Sequence, residues 1–247
     1  MKYYDLIFDL YGTLVDIHTD TDMPEVWEKT AFYFGFYGAS YTAQELREAY
    51  DEVTCRQNMD AGQNYECFPE LQIEKVFAEL FEKKGIVSDT ERLGQNAAQF
   101  FRILSMEYIR LYPGVKEALV KLKKDGHRLW LLSNAQRVFT AYEMRLLGME
   151  DYFDGIYISS DYGCRKPDVR FFDALIKANA LKAENCLMIG NDLTTDIGGA
   201  QAAGLRTFYI HSNISPEQDS YAKRTADYSV EEADWYEILK KLETICS

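Results

Sequence analysis

Basic charge is scarce in this chain of 247 residues: 27 Lys and Arg stand against 40 Asp and Glu, a formal charge of −13. Neutralising nucleic-acid phosphates or an anionic lipid surface takes an excess of Lys and Arg, so neither partner is expected. A local basic pocket for a small anion stays open to such a chain. Cysteine is sparse and unpatterned: Cys55, Cys67, Cys164, Cys186 and Cys246 form an odd, scattered set with no CxxC pair. That speaks against a disulfide framework and a zinc ribbon, and fits free thiols in a reducing cytosol. The three histidines, His18, His127 and His211, show no ligand spacing, which disfavours a zinc site. No apolar run approaches the roughly eighteen residues that a membrane span takes. The apolar N-terminal stretch is interrupted by Asp5 and Asp9, so neither a span nor a signal peptide is expected and the chain reads as cytoplasmic. No internal repeat or low-complexity tract is visible.

What is present is an ordinary globular composition, 47% hydrophobic and 14% aromatic. The length suits one large α/β domain, or a core domain with a smaller companion. Lys2 to Leu10 is a short apolar run ending at Tyr11-Gly12-Thr13, which predicts a buried strand feeding a turn. From about Asp16 to Tyr108 the periodicity is helical: Trp27, Phe34 and Phe36, then Leu46, Tyr50 and Val53, then Ile73, Val76, Phe77, Leu80 and Phe81. This predicts an all-helical insertion. After Tyr112-Pro113-Gly114, helix and strand alternate. Helices over Val115 to Lys124, Phe139 to Leu147, Phe171 to Ala178 and Ile197 to Ala203 precede strands over Leu129 to Leu132, Gly155 to Ser159, Cys186 to Ile189 and Thr207 to Ile210. A covering helix over Glu231 to Leu242 closes the pattern. Such alternation predicts a doubly wound parallel sheet with helices on both faces, its ligands beyond the carboxyl ends of the strands. The expected division is a core of residues 1–15 and 109–247 with a helical cap of residues 16–108.

Four polar clusters follow apolar strands: Asp9-Leu10-Tyr11-Gly12-Thr13, Ser133-Asn134, Arg165-Lys166-Pro167-Asp168, and Gly190-Asn191-Asp192 with Asp196 beyond it. A strand-end carboxylate such as Asp9 is a competent nucleophile when a cation holds it ionised and aims it. Lys166 supplies a charge that neutralises both Asp9 and a substrate anion. Ser133 and the backbone N–H groups around Tyr11 and Thr13 suit the substrate's oxygens. The carboxylates of the last cluster suit a hard cation such as Mg²⁺. Structural readings stand beside each of these. Asp9-Tyr-Gly-Thr also makes a turn, and Ser133-Asn134 also caps a helix. Lys166 also suits an exposed loop in which Pro167-Asp168 opens a helix at N1. Asp196 also suits a helix start on macrodipole grounds alone. The aromatic run Phe32, Tyr33, Phe34, Phe36, Tyr37 and Tyr41 reads as packing between helices. Arg56 and Glu70 read as solvated surface.

The four clusters, in this order and at strand ends, resemble the haloacid dehalogenase-like hydrolase superfamily, subfamily I, whose C1-type cap sits where the helical insertion lies. Its motifs are DxDGT or DxYGT, a Ser or Thr, a Lys, and an acidic loop. The resemblance implies a Rossmann-like core and a hydrolase, with Asp9, Ser133 and Lys166 catalytic and Tyr11, Thr13 and Asn134 on the substrate. It also implies Mg²⁺ held by Asp9, Tyr11, Asn191, Asp192 and Asp196, and a small anionic substrate, in a monomer or homodimer.

Two positions depart from the family's phosphatase pattern. Tyr11 stands where those enzymes carry a second aspartate that protonates the leaving group, and tyrosine there is similar to the 2-haloacid dehalogenases. Gly190-Asn191-Asp192-Leu193-Thr194-Thr195-Asp196-Ile197 resembles the phosphatase loop GDxxxxDIxGA rather than the dehalogenase SSNxxD, with Asn191 in place of the first aspartate. Asp192 replaces Asn191 as a ligand only if the loop shifts by one residue. No counterpart of the dehalogenase cap arginine is found after Trp27. The leading expectation is a Mg²⁺-dependent phosphatase of a small phosphorylated metabolite, working through an aspartyl-phosphate at Asp9. The alternatives are a metal-independent 2-haloacid dehalogenase and a non-catalytic binding protein of the same fold.

Overall fold

The computed structural model describes residues 3–60, 68–217 and 226–246; Cys67 lies outside the described residues. Strand β1 (Asp5–Phe8) is central in a parallel sheet, six-stranded among the described residues, of order β5 (Gly155–Ile158), β4 (Arg128–Ser133), β1, β6 (Cys186–Gly190), β7 (Arg206–Ile210) and β8 (Tyr228–Val230). β1 pairs with β4 through Phe8 against Leu131, and with β6 through Phe8 against Ile189. The alternation of side chains along each strand sorts the core into two faces. Leu6, Phe8, Leu129, Leu131, Leu187 and Ile189 pack with Leu119 of α5 (Val115–Lys124) and Trp235 of the C-terminal helix (Trp235–Cys246). Ile7, Trp130, Leu132 and Met188 face the other way, against Phe171, Phe172 and Leu175 of α7 (Val169–Ala178). Doubly wound packing is thus legible residue by residue. The apolar strands that composition marks as continuous runs are buried on both sides.

The insertion is not helical throughout. Its ends form a two-stranded antiparallel ribbon of β2 (Val15–Thr19) and β3 (Met106–Leu111), with Ile17 opposite Ile109. Residues 16–19 and 106–108, expected in the helical cap, therefore lie in strands. Val15 and Ile17 join the sheet's own core cluster. Alternation in Val-Asp-Ile-His-Thr is the signal a helical period overrides. Between the strands run α1 (Pro24–Phe36), α2 (Ala43–Asp60), α3 (Ile73–Lys83) and α4 (Thr90–Ser105). They enclose a separate cluster in which Phe34 stacks on Phe81 with centroids 3.9 Å apart, and Trp27 and Phe77 meet Phe101 edge-on or tilted. Phe34 is buried, but Phe32 and Phe36 are 71% and 76% exposed, so packing between helices accounts for only part of the aromatic run.

α6 (Arg137–Leu147) carries the seam between insertion and sheet. Its Val138 and Phe139 pack on the helical cluster. Gln136, just before it, accepts from Ile73 N at 2.9 Å and donates to Glu70 and to the Leu71 carbonyl, both at 3.0 Å. Glu70 also accepts from Ser159 Oγ at 2.7 Å, so it is a half-buried bridge between the two regions rather than solvated surface. Burial raises its carboxyl above the usual range. Arg56 is exposed and pairs with Glu79, as a solvated side chain does. None of the four described cysteines is in a disulfide. Among the described residues no helix is long and apolar enough to cross a membrane.

Candidate active site

Three adjacent strands deliver the site. Asp9 follows β1, Ser133 ends β4 and Asn191 follows Gly190 at the end of β6, while Lys166 comes from the loop between β5 and α7. This is the carboxyl edge of the sheet, where the outward turn of each chain segment leaves polar groups facing a crevice. The crevice is a cleft of about 300 Å³ lined by Asp9, Tyr11, Asn134, Lys166, Asn191 and Asp196, among others. A cleft of about 640 Å³ against α1 is larger, but the polar side chains of its lining, Glu28, Ser40 and Tyr41, are set among Ala31, Phe32 and Phe36 and include no carboxylate–lysine group.

Lys166 is the hub. Only 1% exposed, it places its three ammonium hydrogens on Asp9 Oδ1 at 2.7 Å, Asp196 Oδ1 at 2.6 Å and the Leu132 carbonyl at 2.8 Å. A buried cation is tolerable only when fully paired and bonded, and this one is. Two carboxylates raise the lysine's pKa against the opposing effect of burial. Asp196 is wholly enclosed: Oδ2 accepts from the N–H groups of Asn191 and Asp192, both at 3.0 Å. Burial pushes its carboxyl up to about 7, with Lys166 opposing and Asp9 assisting. Gly190 makes this closeness feasible, since a Cβ there would lie 2.3 Å from Asp196 Oδ2. Asp196 is therefore no mere helix opener. Asp192 is the N-cap of the π-helical turn Leu193–Gly198, accepting from Thr194 N and Thr195 N at 2.8 and 3.1 Å.

Asn191 keeps the unshifted register. Its amide nitrogen reaches Ser215 and Ser212 at 3.4 and 3.5 Å, and its oxygen lies 3.3 Å from Thr13 Oγ1, which is itself 3.4 Å from Asp9 Oδ2. The Thr13 hydroxyl has one proton for these two acceptors. Gly12, at φ +82°, passes so close that a Cβ would meet Asn191 at 2.2 Å. Thr13 N donates back to the Leu10 carbonyl at 3.4 Å, so its backbone closes the turn and only its hydroxyl serves the cluster.

Two expected substrate contacts are occupied otherwise. The Asn134 side chain clamps the Lys166 backbone, accepting from its N–H at 2.8 Å and donating to its carbonyl at 3.0 Å, so it positions the lysine. The Tyr11 hydroxyl donates to Glu143 on α6 and receives Thr140 Oγ1 at 3.0 Å. Arg102 of α4 pairs with Glu143 at 2.6 Å, and its guanidinium lies 5.6 Å from the Tyr11 ring centre. Burial and the Glu143 charge hold the phenol above its usual range. Arg102, Glu143, Ser212 and Ser215 are neighbours of the site that sequence reading misses. Arg102 and Glu143 are 41 positions apart with no shared motif. The N-cap of α7 is Asp168, accepting from Arg170 N at 2.9 Å, so the helix opens at Val169 and not at Pro167.

Ser133 is fully buried, and its Oγ has no hydrogen-bond partner among the described residues. Leaving a buried hydroxyl unpaired costs about 1–3 kcal/mol. Removing it with Ser133→Ala should leave thermal stability unchanged or raised, while turnover falls at least about tenfold. Calorimetry beside a rate assay checks both, and parallel losses of stability and rate would assign the hydroxyl a structural role.

For a divalent cation the carboxylates divide plainly. Asp196 spends both oxygens on the lysine and on backbone N–H groups, Asp192 Oδ1 caps the last loop, and the Tyr11 phenol is turned to Glu143. Among the described residues no cluster of three or more His, Cys, Asp or Glu suits a metal. Asp9 Oδ2 and Asn191 Oδ1, two acceptors sharing one hydroxyl proton, fit a hard cation that keeps most of its waters. Of the five expected ligands, Asp9 and Asn191 each present a side-chain oxygen whose contact is the Thr13 hydroxyl.

Comparison with known proteins bears on the family of the chain. A model of the haloacid dehalogenase-like hydrolases matches residues 6–204. The glyceraldehyde 3-phosphate phosphatase of Pyrococcus furiosus is 30% identical over 125 residues, 51% of this chain and 52% of that protein. The chain spans about half the length of the glyceraldehyde 3-phosphate phosphatases it matches. The pyrimidine 5'-nucleotidase PynA of Streptococcus pneumoniae is 23% identical over 239 residues, 90% of this chain and 92% of that one. The solved 2-haloacid dehalogenase of Pseudomonas syringae shares the fold, with a TM-score of 0.64 at 21% identity over 98% of this chain and 99% of that one. The strand-end aspartate, serine, lysine and acidic loop all fall inside the matched residues, and the chain belongs to the haloacid dehalogenase-like hydrolase family.

Proposed function

We propose that the chain is a phosphatase of small phosphorylated compounds that passes the phosphoryl group through Asp9. The observation that carries this is the buried Asp9–Lys166–Asp196 triad lining the cleft: a strand-end carboxylate whose Oδ1 is fixed 2.7 Å from a buried ammonium. That contact turns the carboxylate toward the cleft and offsets the repulsion a phosphate anion would meet there. The phosphatase names of the relatives support the same reading. Mg²⁺ held by Asp9 and Asn191 would supply charge neutralisation at a phosphoryl oxygen. Ser133 donates to the bound group, while Asn134 and Asp196 keep the lysine loop and the last loop in place. The insertion from α1 to α4, docked through Glu70, Gln136 and Arg102, acts as a cap that limits water and selects substrate.

Incubation with para-nitrophenyl phosphate, with Mg²⁺ or with chelator, tests the reading. Phosphate release that needs Mg²⁺ and is lost in Asp9→Asn is the expected result. Absence of release from this, from other phosphomonoesters and from acetyl phosphate would overturn it. Tyr11, with its phenol turned to Glu143, favours one second reading, a 2-haloacid dehalogenase forming an aspartyl ester at Asp9. Halide release from 2-chloropropionate, unaffected by chelator, is the result that would select it.

A further inference from the structure

Breaking a phosphate ester of an ordinary alcohol requires a proton for the departing oxygen, and a positioned acid supplies on the order of 10²–10⁴ in rate. Apart from the Ser133 hydroxyl, which is too weakly acidic to protonate an alkoxide, each proton carrier at this site is already committed. The Tyr11 hydroxyl has a single hydrogen, and it goes to Glu143. Glu143 also receives Arg102 Nε and Nη2 at 2.6 and 3.3 Å, so the ion pair holds the phenol's proton away from the cleft. All three hydrogens of Lys166 are placed, on Asp9, Asp196 and Leu132. The Asp196 carboxyl is enclosed by that ammonium and two backbone N–H groups, and Asp192 caps its helix. Asn134, Asn191 and Thr195, which complete the polar lining, are too weakly acidic to protonate an alkoxide.

We propose that the substrates of this site are acyl phosphates, compounds whose leaving group is a carboxylate and departs without a proton; this rests on the phosphatase reading above. An Asp9 oxygen forms a bond to phosphorus while the bond from phosphorus to the acyl oxygen breaks. The electron pair of that bond stays on the departing carboxylate. Carboxylic acids titrate near pH 4, so the anion is stable as released, whereas an alkoxide is not. The phosphoryl group thereby moves from one carboxylate to another with no proton transferred. Water then attacks phosphorus, the Asp9 carboxylate departs in its turn, and phosphate and one proton pass to solvent. Both steps have the same kind of leaving group, which is why one site without an acid serves both. The loose transition state of phosphoryl transfer puts charge on the leaving oxygen, so rates without an acid depend steeply on leaving-group acidity. A cleft of about 300 Å³ admits a small acyl phosphate.

The test uses the full chain with Mg²⁺ and measures kcat/KM for acetyl phosphate, for dinitrophenyl, para-nitrophenyl and phenyl phosphates, and for glycerol phosphate, with Asp9→Asn rates subtracted. The expected result is a steep fall with rising leaving-group pKa and acetyl phosphate at least about 100-fold ahead of glycerol phosphate. Tyr11→Phe should show the same steepness as the parent chain, because the phenol's proton is not used. Equal rates across the series, or a Tyr11→Phe loss confined to the poor leaving groups, would overturn the inference while leaving a phosphatase in place. No release from any of the five would overturn the phosphatase reading and the inference with it.

Discussion

Asp9→Asn should abolish phosphate release, by a factor on the order of 10⁴ or more, and leave the fold at least as stable as before. The two halves of this expectation come from the same contacts. Two carboxylates share one buried ammonium, so the parent site carries an excess negative charge in a poorly solvated place. The asparagine amide still accepts from Lys166, and Asp196 still neutralises it. What is lost is the nucleophilic oxygen, which an amide does not replace. Thermal melts beside a phosphate-release assay check the pair. A melting temperature that falls in step with the rate would mean that Asp9 is a structural member of the turn.

Lys166→Met carries the largest expected effect on the fold itself. Removing the cation leaves Asp9 and Asp196 buried without a compensating charge, although Asp196 keeps its two backbone N–H donors, and breaking a buried ion pair in this way costs about 3–5 kcal/mol. The melting temperature should drop on the order of 10 °C, and turnover should vanish. The loss should also depend on pH, with a definite sign. Asp196 stands at about 7 in the folded chain, above an unfolded value of about 4. A carboxyl raised by folding favours the fold fully below its unfolded pKa, and that benefit disappears as pH rises through the folded value. Without Lys166 the carboxyl rises further, so from pH 5 to pH 8 the variant should lose stability more steeply than the parent chain. Melts across this range with chelator present would show it; a pH-independent deficit would place the cost in lost packing alone.

The sheet was legible because its strands are short apolar runs separated by amphipathic helices, and four of the strand ends carry polar clusters. Buried on both faces, Leu6, Ile7 and Phe8 need no alternation to be read as a strand, and helix α5 falls where its Val115, Ala118, Leu119 and Leu122 spacing puts it. The ribbon of β2 and β3 was hidden because its partners are nearly a hundred positions apart, and pairing at that distance leaves no local period. Asp9, Lys166 and Asp196 were visible as members of an ordered set. What Asn134 and Tyr11 do was not, since their residue types suit a substrate as well as they suit Lys166 and Glu143. Only the three-dimensional placement of Arg102 and Glu143 shows where the phenol's proton goes.

The account turns on Asp9 taking the phosphoryl group, and an acid-quenched single turnover measures that directly. The chain is mixed with acetyl phosphate and Mg²⁺, stopped in acid within the first turnover, digested and examined by mass spectrometry. The expected result is one phosphoryl group on the peptide that contains Asp9, absent from Asp9→Asn and lost on treatment with hydroxylamine. Phosphate release at the full rate with that peptide unmodified throughout the turnover would contradict the account.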